Sequence, residues 1–399
     1  MKVLWFALFC LILAACSSEG SSNEADDAID ADEVSEDAIK VGALLPYSGV
    51  YASLGEHLTK GMELYFDEVD WEVNGKEIVL LKEDTEADPQ NSLRRARRLI
   101  DQYEVDILTG PVSTAVAYAL RDEVDSNQVP FLVSHAGGDD LTRDMRSDYI
   151  WRSSFSSWQI GHSLGEWAYE NVGEKIYVAA ADYAFGHEVA AAFMTAFEEA
   201  GGEIIGEVYP PLGNNDYASH LTQINSSDAD AVYAFFAGSD AARFVQQYDE
   251  YGLKDEIPLI GAGWLVGEDV RPAQGDSPEG AIVSIFWDYN LDTPENIAFV
   301  EAYEAKYDER PSIESLEGYD AARIIVEALE SIEGDTSDPD QIVEAISQVE
   351  IDSPRGHIRF DQDTHHIIQN MYITETVIED GQTENYVIDS VEEVIDPGE

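Results

Sequence analysis

The chain has 399 residues, 44% of them hydrophobic, enough for two α/β domains with cores of their own. Against 22 Lys and Arg stand 81 Asp and Glu, a net charge of −59, and a surface of that sign repels nucleic acid and anionic headgroups. Regular apolar strands set the body apart from an acidic disordered polymer, so the charge reads as adaptation to concentrated salt, where repulsion is screened over a few ångströms.

Residues 1–16 read as a targeting segment. Lys2 is a minimal charged region, residues 3–13 are an apolar run short for a bilayer span, and Leu13-Ala-Ala-Cys16 looks like a bacterial lipobox. A lipidated Cys16 would become the mature N-terminus, with the two acyl chains that stable anchoring requires. An ordinary secretory signal ending near Ala15 is the alternative. Cys10 and Cys16 are the only cysteines, so the mature fold is expected to hold no disulfide and no Cys-based metal site. Residues 17–38 carry no Lys or Arg and read as an acidic, disordered tether.

The body then writes one β-loop-α-β unit twice. The first copy begins Ile39-Lys-Val-Gly-Ala-Leu-Leu-Pro46, passes an aromatic, Gly-containing loop (residues 47–55), a helix (56–69) and a strand (77–81). A helix over 90–103 follows, apolar at Leu93, Ala96, Leu99, Ile100 and Tyr103, with Arg94, Arg95, Arg97 and Arg98 on the other face. That basic face is expected to be solvated and paired with neighbouring carboxylates. The strands near 105–110 and 130–134 complete the copy. The second copy begins Lys175-Ile-Tyr-Val-Ala-Ala-Ala181 and continues through Asp182-Tyr-Ala-Phe-Gly186, a helix (187–200) and strands near 203–208, 231–236 and 258–261. A strand (280–287), three helices and a hairpin-like unit with a turn at Asp380-Gly381 close the chain; Asp338-Pro339 starts one of those helices with an N-cap and a first-turn proline.

Alternating strands and helices imply a parallel sheet covered on both faces. Two copies imply an α/β fold of two Rossmann-like lobes joined by a three-strand hinge, with crossings near 154–158, 286–289 and 361–366. The expected division is 39–156 plus 288–362 for lobe 1, and 157–287 plus 363–395 for lobe 2.

Signatures of catalysis are missing. There is no Gly-x-Ser-x-Gly elbow and no phosphate loop, and Pro46-Tyr-Ser-Gly49 stands where a dinucleotide site would need its glycines. The adjacent His365 and His366 read as surface residues rather than metal ligands. Neither cofactor nor metal is expected.

Ligands of open α/β sheets bind outside the carboxyl ends of the strands. Applied to both copies, that rule selects the loops bearing Tyr51 and Ser53, Ser113 and Thr114, Ala136, Gly137 and Gly138, then Phe185, Ser239, Asp240 and Trp264. Ser113 and Thr114 sit at a helix N-terminus, where free N–H groups and hydroxyls hold a carboxylate without Arg, although Ser113 also suits a plain N-cap. The glycines allow close approach of backbone, and the aromatics suit an apolar ligand body.

Ile39-Lys-Val-Gly-Ala-Leu-Leu-Pro-Tyr-Ser-Gly49, Asp182-Tyr-Ala-Phe-Gly186, Phe236-Ala-Gly-Ser-Asp240 and Tyr251-Gly-Leu-Lys-Asp-Glu-Ile-Pro-Leu259 together resemble the type I extracytoplasmic substrate-binding proteins of ABC importers. The branch is the leucine/isoleucine/valine-binding class, which includes binders of aromatic carboxylates. The resemblance spans roughly residues 39–378. It implies a carboxylate held at Ser113, Thr114 and residues 136–138, aromatic contacts at Tyr51 and Phe185, and a monomer that delivers its ligand to an ABC permease and its ATPase. Amino-acid binders of this class place a Glu for the ligand ammonium where this chain has Gly263-Trp264. The expected ligand is therefore a hydrophobic amino acid or an aromatic acid. A ligand sensor for a signalling partner, or an extracytoplasmic enzyme, would use the same body.

Overall fold

The computed structural model describes residues 35 and 37–398, without the Val50 side chain. The targeting segment, Cys16 and most of the tether lie outside the described residues. The first sheet and its helices are built from β1 (Ile39–Leu45), α1 (Ala52–Glu68), β2 (Glu72–Val73), β3 (Lys76–Asp84), α2 (Pro89–Arg98), β4 (Ile107–Gly110), α3 (Thr114–Asn127), β5 (Phe131–Val133) and β6 (Ile150–Arg152). The second half begins with α4 (Ser157–Asn171), β7 (Lys175–Ala180), α5 (Ala184–Ala200), β8 (Glu203–Val208), α6 (Ala218–Asn225), β9 (Ala231–Phe235), α7 (Gly238–Glu250), β10 (Leu259–Ala262), α8 (Arg271–Gln274) and β11 (Ile282–Ile285). The remainder is α9 (Pro294–Tyr307), α10 (Ile313–Ser331), α11 (Pro339–Ser347), β12 (Glu350–Ser353), β13 (Gly356–Phe360), β14 (Ile367–Glu379) and β15 (Gln382–Val394).

The duplication is visible in the strand order. The first sheet runs β2-β3-β1-β4-β5-β6, and the second carries β11-β10-β9-β7-β8. In each, the five parallel strands stand in the order second, first, third, fourth, fifth. The inner strands are apolar on both faces, as β9 (Ala-Val-Tyr-Ala-Phe, buried throughout) shows, because helices cover both sides. The second sheet is mixed: β14 pairs antiparallel with β11, β13 and β15.

Helix α10 runs between the two cores. Its start, Ile313 and Leu316, packs into the second core, and its later residues from Ala321 to Leu329 pack into the first. Two acidic residues between them, Glu317 and Asp320, are buried at 1% and 0% exposure. The helix comes close to α1 because Gly61 and Gly318 lack side chains: a Cβ on either would lie 1.9 Å from a backbone oxygen of the other helix.

A buried polar knot ties the segments that pass between the sheets. Arg355 is fully buried; it meets Asp320 at 2.8 Å and donates to the carbonyls of Ser153 (2.6 Å) and Ser154 (3.2 Å) and to Gln369 (2.7 Å). Gln159 donates to the carbonyls of Ile367 and Val394. The two adjacent histidines belong here rather than on the surface. His365 stacks on Trp151 at 4.1 Å, and His366 is held between Arg152 Nε (3.0 Å) and Gln159 (2.9 Å). A bridge between Arg152 and His366 pulls this turn inward, a long-range pairing that adjacency in sequence does not disclose.

The other departures are local. The helix from Pro89 gives way at Leu99–Tyr103 to a wider π-type turn. Three of its arginines meet carboxylates, Arg95 and Arg98 on Glu83 and Arg97 on Glu123, while Arg94 donates to Gln90 O and Asn91 Oδ1. Asp338 caps α11 as expected, accepting from Asp340 N at 3.1 Å.

Candidate ligand-binding cleft

Loops from both halves converge on a cavity of about 260 Å³. The first half supplies Tyr51 and Leu54 at the start of α1, residues 112–115 between β4 and α3, His135 and Gly137 after β5, and Phe155 after β6. The second supplies Tyr183, Ala184 and Phe185 after β7, Phe235 at the end of β9, Ala237 after it, and Trp264 after β10.

One flank of the cavity is aromatic. Phe155 lies 4.9 Å from Trp264 and 5.8 Å from Phe185, while Phe185 stands edge-on to Trp264 at 5.7 Å and to Phe235 at 5.0 Å. These tilted and edge contacts are the favoured arrangement for rings and hold the wall stiff. Burial raises the phenol pKa of Tyr51, and that of Tyr183 far more, so both hydroxyls stay neutral at ordinary pH.

The polar flank is the N-terminus of α3. Ser113 is the N-cap residue with extended backbone (φ −82°, ψ 127°), yet its side chain makes no capping bond. The helix's own bonds begin with Val116 N and Ala117 N, both on Ser113 O. The Thr114 and Ala115 N–H groups therefore precede them, beside two hydroxyls, at the positive end of the helix dipole. The loop after β5 is laced to this turn by Ser134 N to Gly110 O (3.1 Å) and Ala136 N to Pro111 O (3.0 Å). Its glycines serve that packing: a Cβ on Gly137 would lie 2.3 Å from the Phe155 ring, and one on Gly138 2.3 Å from Thr114 Cγ2.

His135, from the same loop, places Nδ1 2.5 Å from Glu317 Oε2 and its ring edge-on to Phe155. Burial opposes a charged ring, but the Glu317 carboxylate outweighs it and raises the His135 pKa, while burial lifts the Glu317 carboxyl to about 7. Among the residues that line the cavity there is no Asp, Glu, Lys or Arg.

The cavity thus gathers Tyr51, Ser113, Thr114, Gly137, Phe185 and Trp264 from the residues singled out in the sequence. Ala136 and Gly138 stand behind it, in the loop that shapes it. Ser53 and Ser239 are exposed outside the lining. Asp240 turns away, accepting from Gly213 N at 2.8 Å and pairing with Arg243. Asp182 pairs with His187 at the surface. Neither aspartate reaches the lining where an ammonium partner would be needed. Sequence reading missed Phe155, which marks a crossing segment, and Phe235, which ends a buried strand. His135, next to Ala136 in its loop, was not among the candidates; its partner Glu317 lies 182 residues away. The described residues contain no cluster of His, Cys, Asp and Glu suited to a metal ion, and no helix long and apolar enough to cross a membrane.

The sequence model of the periplasmic binding protein family matches residues 38–382. A relative described as Leu/Ile/Val-binding protein homolog 6, from Brucella melitensis, is 31% identical over 91% of this chain and 94% of its own length. An ABC transporter substrate-binding protein from Sphaerobacter thermophilus is similar in structure, with TM-score 0.87 and 35% identity over 89% of this chain and 98% of that one. A solute-binding protein from Rhodopseudomonas palustris BisB5, solved with 3,4-dihydroxybenzoic acid, has TM-score 0.86 and 32% identity over 91% and 99% of the two chains. With two lobes of the same strand order, a cleft between them and these relatives along nearly its whole body, the chain belongs to the periplasmic binding protein family, among the Leu/Ile/Val-binding-like substrate-binding proteins of ABC transporters.

Proposed function

We propose that this protein is a lipid-anchored, extracytoplasmic receptor that captures a small aromatic carboxylate between its lobes and hands it to an ABC permease. The observation that carries the choice of ligand is the lining itself: an aromatic wall faces an open helix N-terminus, with no carboxylate for an ammonium group. The aromatic acid bound by the Rhodopseudomonas relative supports the same choice. The lobes, divided at 39–156 plus 288–362 and 157–287 plus 363–395, close about the hinge, and only the closed form touches ligand from both sides. That difference in contact is what drives closure, and the closed form is what docks on the permease. Cys16 would carry the anchor.

The carboxylate seat is tested by Ser113→Ala. Losing one hydrogen bond to a charged group is worth about 1.5–3 kcal/mol, so calorimetry should show benzoate binding weakened by roughly tenfold or more. Melting should stay near that of the native protein, because the hydroxyl caps nothing. Unchanged affinity removes Ser113 from the site.

The charge of −59 is read as salt adaptation. Molar NaCl should raise the melting temperature well above its value in low salt by screening carboxylate repulsion. Equal melting in both would end that reading.

A further inference from the structure

One charged pair lies against the cleft without a role in the fold's polar knot. His135 lines the cavity, and Nδ1 of its ring is held by Glu317 at 2.5 Å. The remaining ring nitrogen, Nε2, is the one left for a ligand. The loop that carries it is hydrogen-bonded to the turn of Ser113 and Thr114, so both stand at the same end of the cavity.

We propose that His135 is a specificity-determining residue: anchored on Glu317, it presents Nε2–H beside the α3 N-terminus and takes the ligand's carboxylate together with Ser113 and Thr114. This rests on the aromatic-carboxylate reading and goes further, because it ties binding to a proton. With a proton on each ring nitrogen, the pair is a neutral imidazolium–carboxylate and Nε2 donates. With one proton fewer the pair is an anion and Nε2 turns acceptor, which suits an ammonium or hydroxyl and rejects a carboxylate. The charged groups facing the pair are Glu314, one turn earlier on α10, which favours the proton, and Arg355, from the turn between β12 and β13, which opposes it. Phe155 covers the ring face-to-edge and keeps water from it. Glu317 Oε1 is buried with no hydrogen-bond partner, a second place for the shared proton.

The sign follows. At the acid end the pair already holds its proton and a carboxylate binds without exchange. Once pH has risen through the raised His135 pKa the proton must be taken up with the ligand, and affinity falls by up to about tenfold per pH unit.

The test is calorimetric titration of the full chain with benzoate and 3,4-dihydroxybenzoate across a pH series, in two buffers of very different ionisation enthalpy at each pH. The expected result is a difference in apparent enthalpy that grows with pH to the equivalent of up to about one proton taken up per ligand and vanishes at the acid end of the series. His135→Gln should bind more weakly and without the buffer dependence. Glu317→Gln should also lose the uptake, as a role in packing alone would not require. Binding with equal enthalpies in both buffers at every pH by the native protein overturns this inference and leaves the carboxylate receptor standing. Failure of every aromatic acid to bind overturns both.

Discussion

Asp320→Ala should cost about 3–5 kcal/mol of stability, the range for leaving one partner of a buried ion pair alone. Arg355 and Asp320 both have zero exposure, and Ser153, Ser154 and Gln369 take the other guanidinium hydrogens. Removing Asp320 leaves a charge with no route to water. Ser153 and Ser154 follow β6 and Gln369 belongs to β14, so the damage falls on the crossing segments and not on one lobe. A domain's whole stability is about 5–15 kcal/mol, so this single change should move the urea midpoint sharply. The double replacement Asp320→Leu with Arg355→Met should recover much of the loss, since an apolar pair needs no compensation. A midpoint within experimental scatter of the native one for Asp320→Ala would show that the knot holds nothing together.

Phe155→Ala should destabilise by a similar amount, about 3–5 kcal/mol, and should also abolish tight ligand binding. The ring is 2% exposed and touches both halves: it stacks on Phe286 at 5.4 Å, meets Trp264 and Phe185, and covers His135. Gly137 is packed against it as well. Trp264 is only partly buried, so Trp264→Ala should weaken binding with a smaller loss of stability. Equal stability losses for the two, or a Phe155→Ala protein that still binds benzoate normally, would contradict this division of labour.

Much of the fold was legible because the code for it is local. Strands such as Ala231–Phe235 are apolar throughout, helices between them are amphipathic, and the same order occurs twice; the loops at the strands' carboxyl ends then follow from a general rule. That is how Ser113, Thr114, Phe185 and Trp264 could be found. What could not be read depends on side chains meeting over long separations. Glu317 looks like any helix carboxylate until α10 is seen to run between the two cores. Asp240 sits in the expected loop, but its direction is decided by Gly213 N, 27 residues away, and by Arg243 on its own helix. His365 and His366 seemed superficial because alternation in an isolated segment says nothing of a bridge to Arg152.

The central claim is that the cleft takes an aromatic carboxylate and not an α-amino acid. A thermal melt in molar salt with benzoate and, separately, leucine tests it most directly. An acid present at a hundred times its dissociation constant adds about 2.7 kcal/mol to the folded state. Benzoate or its hydroxylated forms should raise the melting temperature by several degrees, while leucine at equal concentration should leave it unchanged. A rise with leucine and none with any aromatic acid would contradict it.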